Sequence, residues 1–354
     1  MRRVTMLGPS FKTKGGMTSV SRIILSHEFD RFFVEFLPTM HDNSLLGRVN
    51  HWSWRAITWP LRSFYKRPSL VHISFAERLS IWRKYSLMSL WRLVGVPVVL
   101  HSHGSDTESL YPKMWRISKI LFRRFLNGSK RIIVLSESWK KFYCEVVGIP
   151  EEKVIILENP TTIPEDFRTS TKEMTTVLYS GRIGDRKGAF DLIEAWSRIQ
   201  GKHRDMAELL LIGDGRVEEA RLLAKKLGVD SSCKVLGWVD EEEKKRLLSE
   251  SRIFVLPSKN EGLPMSLLEA MSYGLAPIVT PVGGIPDTVI EGENGGFVEP
   301  GNVDSIAKKI DEFIGDDEKT TKMGDLARES IIPLGVERFG HRLQEVWLHA
   351  LGER

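Results

Sequence analysis

The sequence predicts an α/β protein of two doubly wound, Rossmann-like domains joined by one linker, with a cleft between them. Three observations carry this. A chain of 354 residues corresponds to two domains at about 100–200 residues each. Short apolar runs alternate with segments of helical spacing, the rhythm of right-handed βαβ units on a parallel sheet. Several of those runs stop at glycine turns.

In the first half, 3–7, 34–37, 70–73, 98–101 and 131–135 read as strands. Segments 17–27, 78–94, 113–126 and 137–146 read as helices. Segment 159–176 holds two prolines, several threonines and few apolar residues, so it reads as the linker. The second half is clearer. A strand at 177–180 ends at Gly181, a helix follows at 191–199, and a strand at 209–212 stops at Gly213-Asp214-Gly215. A helix at 218–227 ends at Gly228, and further strands follow at 233–236, 253–256 and 276–280. Between the last two lies a helix at 265–273, closed by Gly274, and 336–351 is an amphipathic helix. The domains are read as 1–165 and 166–335, followed by 336–354.

Forty-two per cent hydrophobic residues exclude a disordered chain. No run of about 18 apolar residues predicts a membrane span. The apolar stretch at the N-terminus is cut short by Gly8-Pro9, so it reads as a first strand rather than a signal peptide. Cys144 and Cys233 stand alone, as reduced thiols of a cytoplasmic protein do. Residues 1–165 carry 25 Lys and Arg against 13 Asp and Glu, a net of +12; residues 166–354 carry 26 against 33, a net of −7. A basic first half points to an anionic partner: a membrane surface, nucleic acid or a phosphorylated substrate.

Four constellations lie at strand ends or helix starts, where ligands of such folds bind. The strongest is Glu261-Gly262-Leu263-Pro264-Met265-Ser266-Leu267-Leu268-Glu269. Pro264 suits a first helical position, and the free amides of about 265–267 suit a phosphate or sugar oxygen. Glu261 precedes the helix and Glu269 lies further along it, so the two carboxylates can hold a sugar hydroxyl and a ribose diol. The competing reading is a turn residue and a solvated helix residue. In the second, Arg182 and Lys187 flank the loop from Gly181 to Gly188, as suits a diphosphate. From these residues alone a basic surface turn is the preferred reading. The third is Gly15-Gly16, opening a helix after the first strand; it is not a Walker A motif. The fourth is His101-Ser102-His103. It has too few companions for a metal site, so His103 reads as a polar or proton-handling group in the cleft and His101 as a hydrogen-bonded core residue. Separately, 51–67 and 113–131 interleave large aromatics with Lys and Arg. That suits an anionic membrane interface, or an ordinary helix with a buried aromatic face. Nucleic acid is disfavoured, as no zinc-finger or RRM-type signature is present. No Asp-x-Asp lies between apolar runs to hold a metal-bound diphosphate.

From about 177 to 301 the chain resembles the retaining family 4 glycosyltransferases of the GT-B fold, the group 1 type. The motifs are Ser180-Gly181-Arg182 with Lys187-Gly188, Ile212-Gly213-Asp214-Gly215, Leu236-Gly237-Trp238-Val239, Glu261 with Glu269-Ala270-Met271, and Val282-Gly283-Gly284-Ile285-Pro286 with Asn294-Gly295-Gly296. The first half matches more thinly, through Gly15-Gly16, Val71-His72-Ile73, His101-Ser102-His103-Gly104, Val134-Leu135-Ser136 and Glu158-Asn159-Pro160.

The resemblance implies a nucleotide-sugar donor, UDP- or GDP-linked, and a glycan or lipid-linked acceptor in cell-surface polysaccharide biosynthesis. It implies a first domain that binds acceptor, a second that binds donor, and a final helix that crosses back to the first. Arg182 and Lys187 would hold the diphosphate, Glu261 the transferred sugar with the amides from Gly262 to Met265, and Glu269 the ribose. Val239 would sit by the base, Gly15 and Gly16 by the phosphates, and His103 near the sugar. Transfer would be retaining, by a front-face route in which the donor phosphate helps deprotonate the acceptor, with no cofactor and no metal for chemistry. The implied location is cytoplasmic, peripheral on the inner face of a membrane. The chain departs from the family pattern after Pro160, where Thr161-Thr162-Ile163 stands in place of Gly-Val-Asp or a close variant. Two alternatives are a GT-B sugar-nucleotide epimerase or hydrolase, which would turn over donor without acceptor, and a non-catalytic partner subunit, which lost motif residues would favour.

Overall fold

Apolar β-branched runs too short for helices pair side by side into two parallel sheets. The computed structural model describes residues 1–13, 15–39, 67–76, 79–167 and 174–353. Unit 1 comprises Met1–Pro160 and Val336–Arg354, and unit 2 comprises Thr161–Gly335. The division falls between Pro160 and Thr161, ahead of the 165/166 break read from composition. Thr161 already pairs with unit 2: its N–H donates to Leu334 O at 2.9 Å.

In unit 1 the strands are β1 (Arg2–Gly8), β2 (Phe32–Pro38), β3 (Leu70–Phe75), β4 (Val98–Ser102), β5 (Arg131–Val134) and β6 (Val154–Ile156), in the order β2-β1-β3-β4-β5-β6. Every residue of β3 and β4 is buried, as expected of a parallel sheet covered on both faces. The connecting helices include α1 (Gly16–Ser26), α2 (Leu79–Leu93), α3 (Arg116–Asn127) and α4 (Glu137–Lys141), the last continuing into a π-turn at Phe142–Val146. Ser136 caps α4 by accepting the Trp139 N–H at 3.3 Å.

In unit 2 the strands are β7 (Thr175–Ser180), β8 (Ala207–Ile212), β9 (Cys233–Gly237), β10 (Ile253–Leu256), β11 (Ala276–Val279) and β12 (Gly296–Phe297), in the order β12-β11-β10-β7-β8-β9. Its helices include α5 (Ala189–Arg198), α6 (Val217–Lys226), α7 (Glu241–Glu250), α8 (Met265–Ser272), α9 (Val303–Gly315) and α10 (Asp317–Ile331). Helix α7 has no clear apolar stripe: Leu247 and Leu248 are its buried residues, and the cap Asp240, accepting from Glu243 N at 2.8 Å, sets its start.

The last helix, α11 (Val336–Leu351), packs on unit 1. Trp347 is fully buried against Phe29 and Phe32, at ring separations of 4.8 and 5.4 Å. Its indole N–H donates to His72 Nδ1 at 3.1 Å. Arg342 pairs with Glu158 at 2.6 Å and donates to Ile156 O at 2.8 Å.

Strand order locates the ligand crevice of each unit. In unit 2 the chain lays β8 and β9 on one side of β7 and β10 to β12 on the other. The reversal therefore lies between β7 and β10, and ligands of such sheets bind beyond the strand ends at that point. The loops there are 181–188 and 257–264. In unit 1 the reversal lies between β1 and β3, and the loop after β1 leads to Gly15 and Gly16.

Candidate active site

The two loops at the unit 2 reversal are joined by hydrogen bonds. Lys259 N–H donates to Arg186 O at 2.8 Å, and the Arg186 guanidinium donates to Asn260 O at 2.9 Å. Gly188 is left-handed at φ 70°, and a Cβ there would lie 2.2 Å from Pro257 O, so only glycine lets the loops close. Gly283 does the same on the other side: at φ 59° its Cβ would lie 2.0 Å from Glu261 O.

This closure brings Lys187 to Glu261. The ammonium sits 2.5 Å from Oε1, and the Ser258 hydroxyl donates to the same oxygen at 2.7 Å. Glu261 is only 5% exposed. An ionised carboxylate at such a depth needs a paired cation and hydrogen bonds, and Lys187 and Ser258 supply them. The Thr280 hydroxyl donates to Ser258 O at 2.5 Å and braces the loop. Ser258 and Thr280 are not marked by the sequence, because hydroxyl residues near a strand end are common and their burial follows from packing. Gly262, Leu263 and Pro264 are buried behind Glu261.

Pro264 is not the first helical residue. It is the N-cap of α8, extended at φ −72° and ψ 125°, with Met265 opening the helix. The ring restricts φ to a value that serves either position. Leu267 N–H closes onto Pro264 O at 3.1 Å, so the helix-end donors with no acceptor inside the helix are those of Met265 and Ser266. They remain an anion-accepting end.

Farther along α8, Glu269 meets Lys244 of α7 at 3.1 Å through Oε1. Burial pushes the Glu269 carboxyl above its ordinary range, and the Lys244 ammonium opposes that rise. Burial pulls Lys244 down, but the carboxylates of Glu269 and Glu241 outweigh it and raise the ammonium overall. The Glu269 contact was invisible to sequence reading, since Lys244 lies 25 residues away on a separate helix.

Arg182 is exposed and meets no carboxylate at ion-pair distance among the described residues, while its carbonyl accepts from the buried Tyr179 hydroxyl at 3.0 Å. Gly181 and Gly213 follow adjacent strands; Gly181 N–H donates to Ile212 O at 3.0 Å and Gly213 N–H to Gly237 O at 2.8 Å. Val239 is half-buried after β9.

In unit 1, Gly15 is the exposed N-cap of α1 with no side-chain cap. Its carbonyl accepts from Thr18 and Ser19, which leaves the Gly16 and Met17 amides at the helix end. His101 is fully buried, as expected of a core histidine, but neither ring nitrogen has a hydrogen-bond partner among the described residues. Its ring neighbours are the imidazoles of His72 and His103, at 5.3 and 4.0 Å between ring centres, and neither is placed to hydrogen-bond it. His103 stacks on His101 at 4.0 Å, and its Nε2 is likewise enclosed without a partner. Among the described residues, no three His, Cys, Asp or Glu side chains gather as metal ligands.

Of the two basic aromatic segments, 51–66 lies outside the described residues. In 113–131, α3 buries Phe122 and Phe125 in the core, so these aromatics are not surface groups. Trp115 and Ile117 are instead 82% and 71% exposed beside the exposed Lys113, Arg116, Arg123 and Arg124. No described helix is long and apolar enough to cross a membrane.

Comparison with known proteins shows the family and the fold. Residues 163–330 match the family described as Glycosyl transferases group 1, and residues 24–163 match Glycosyltransferase Family 4. Sulfoquinovosyl transferase SQD2 of Arabidopsis thaliana is 32% identical over 74% of this chain and 53% of its own. N-acetyl-alpha-D-glucosaminyl L-malate synthase of Bacillus anthracis is 30% identical over 52% of this chain and 48% of its own. The chain spans about half the length of the curated relatives it matches. Among solved structures, Anabaena HepE in complex with UDP and glucose superposes with a TM-score of 0.77 at 17% identity, covering 98% of this chain and 99% of that one. Two parallel six-stranded sheets and such neighbours make the fold GT-B. The chain belongs to the group 1, family 4 glycosyltransferases.

Proposed function

We propose that the chain moves a sugar from a UDP- or GDP-linked donor to a glycan or lipid-linked oligosaccharide, with retention, in the building of a cell-surface polysaccharide. The observation that carries this reading is the Glu261 carboxylate, held by Lys187 and Ser258 at the sheet reversal of unit 2. Glu261 contacts the transferred sugar, with the Met265 and Ser266 amides nearby on the chain. Arg182 and Lys187 take up the negative charge that grows on the departing diphosphate. Glu269 accepts from the ribose, Val239 lies by the base, Gly15 and Gly16 contact phosphate, and His103 contacts the sugar. The donor phosphate assists deprotonation of the acceptor on the same face. Two cations already serve the diphosphate, so no divalent metal is required.

Relatives support the class of donor and the link to polysaccharide building. The HepE structures hold UDP, glucose or UDP-glucose. An amylovoran biosynthesis glycosyltransferase of Erwinia amylovora is 27% identical over 67% of this chain and 59% of its own. The test is incubation with labelled UDP- and GDP-sugars and lipid-linked acceptor extracts. Acceptor-dependent transfer that persists in EDTA is expected. Donor turnover without acceptor, or no transfer by a folded protein, would discard this reading.

The same proposal places the protein in the cytoplasm, against an anionic membrane face through α3. Exposed Trp115, Ile117 and Ile120 supply apolar insertion, and the surrounding Arg and Lys residues supply attraction. Co-sedimentation with anionic vesicles but not neutral ones is expected, weakened by salt and by Trp115→Ser. Equal sedimentation with both kinds of vesicle, or with neither, would remove the membrane from the proposal.

A further inference from the structure

Helix α8 carries one carboxylate whose two oxygens have different surroundings. Glu269 Oε1 accepts from Lys244 at 3.1 Å. Oε2 accepts from no described residue, and it is not enclosed. Side-chain exposure of 26% for Glu269 and 22% for Lys244 puts the pair at the margin of the protein, open on one side. Lys244 is itself fixed from behind by a second carboxylate, Glu241, at 3.4 Å. The ammonium is thus held between two anions, and α7 is anchored by its Asp240 cap at the turn after β9.

A carboxylate in such a place would, without a cation, drift toward the protonated form as burial disfavours its charge. A neutral carboxyl offers a hydroxyl donor and a weaker acceptor, so it binds a diol less well than a carboxylate does. Burial does push Glu269 upward, and Lys244 is the group that opposes it. A second consequence is geometric. With Oε1 tied to a lysine, the side chain keeps one rotamer and presents Oε2 outward.

We propose that Lys244 is the positioning residue of the ribose contact, tying Glu269 through Oε1 so that Oε2 accepts from the 2′- and 3′-hydroxyls of the donor nucleotide. This rests on the donor reading given above. Lys244 does not touch the nucleotide; it acts through Glu269. A merely structural lysine would stabilise the fold and leave ribose recognition unchanged, and a general surface cation would attract any nucleotide equally.

The experiment is calorimetric titration with UDP and GDP, and with the 2′,3′-dideoxy analogue of whichever binds. The proteins are the full chain and its Lys244→Met, Lys244→Gln and Lys244→Arg variants. Lys244→Met and Lys244→Gln should weaken the ribonucleotide about tenfold, the loss of one charge-assisted contact. The dideoxy nucleotide lacks the diol and should bind all four proteins alike. Lys244→Arg should restore most of the affinity. Unchanged ribonucleotide binding in both uncharged variants, or equal loss on both nucleotides, would overturn the assignment. Should the unaltered chain bind neither UDP nor GDP, the donor reading itself falls first. Melting temperatures of the variants report folding separately, and if one uncharged variant fails to fold the other two decide.

Discussion

At the residue scale, the Lys187–Glu261 pair carries both stability and the proposed chemistry. Removing one partner leaves the other charged and enclosed. Lys187→Met should therefore cost about 3 kcal/mol of unfolding free energy as well as transfer activity. The double variant Lys187→Met/Glu261→Gln should regain part of the stability and none of the activity, which urea unfolding and a transfer assay would distinguish. A loss in the double variant equal to the sum of the losses in Lys187→Met and Glu261→Gln would mean the pair is not coupled. Gly188→Ala should destabilise by about 2 kcal/mol, because the loop would hold an L-residue at positive φ against Pro257 O. Both residues of the pair were legible in the sequence as members of strand-end loops. Their pairing across 74 residues was not, because the strand order that makes β7 and β10 neighbours is a property of the sheet. Ser258 was missed because a hydroxyl residue near a strand end is common, and Lys244 because its partner lies 25 residues away on another helix.

At the element scale, adjacent strands β3 and β4 carry His72 and His101 into the core, with His103 just beyond. Their rings lie 5.3 and 4.0 Å apart in sequence order. Burial pulls His72 down to about 3. Burial, with the charges of His72 and Lys84 added, pulls His103 down to about 3. Burial, with the other two imidazoles, holds His101 well below its usual value. In the unfolded chain these groups protonate near pH 6.5, whereas in the fold they stay neutral. Stability from them is thus complete above pH 6.5 and is lost as pH falls toward 3. Each group should cost about 1.4 kcal/mol per pH unit in that window. Amide exchange of β3 and β4 should quicken between pH 7 and 5 after correction for intrinsic rates, and His101→Asn should flatten the trend. A flat profile in the unaltered protein would contradict it. Periodicity located β3 and β4, because parallel core strands are continuous apolar runs. It missed α7, whose charged sequence has no stripe and whose start is set by an aspartate cap. It also missed β6 and β12, which are too short to register as a pattern.

At the scale of the whole molecule, the two units differ in how the chain builds them. Unit 2 is one continuous segment; unit 1 needs the distant α11 to cover its sheet. A fragment of residues 161–335 should fold and bind the donor nucleotide by itself. Residues 1–160 alone should expose the surface that Trp347 and Leu343 cover and should aggregate. Trp347→Ala in the full chain should cost about 3–5 kcal/mol and strand the His72 Nδ1 acceptor. Thermal unfolding with separate probes for the two units would check this. A soluble, folded 1–160 fragment would contradict the assignment of α11 to that core.

What the sequence determined by itself is local: which runs are strands, where each stops, and which charged residues stand beside those stops. Apolar period, glycine and proline act within a few residues, so they can be read in order along the chain. Strand order, the meeting of Lys187 with Glu261, the Lys244 contact to Glu269 and the seat of α11 were decided only by tertiary structure. Each depends on burial and hydrogen bonding between segments far apart in the chain, and many sequences with the same local pattern could satisfy that competition differently. The helix start at Pro264 shows the border between the two. Its location was legible, but whether the ring caps the helix or opens it is seen only in the fold, where Pro264 is extended and Met265 is the first helical residue.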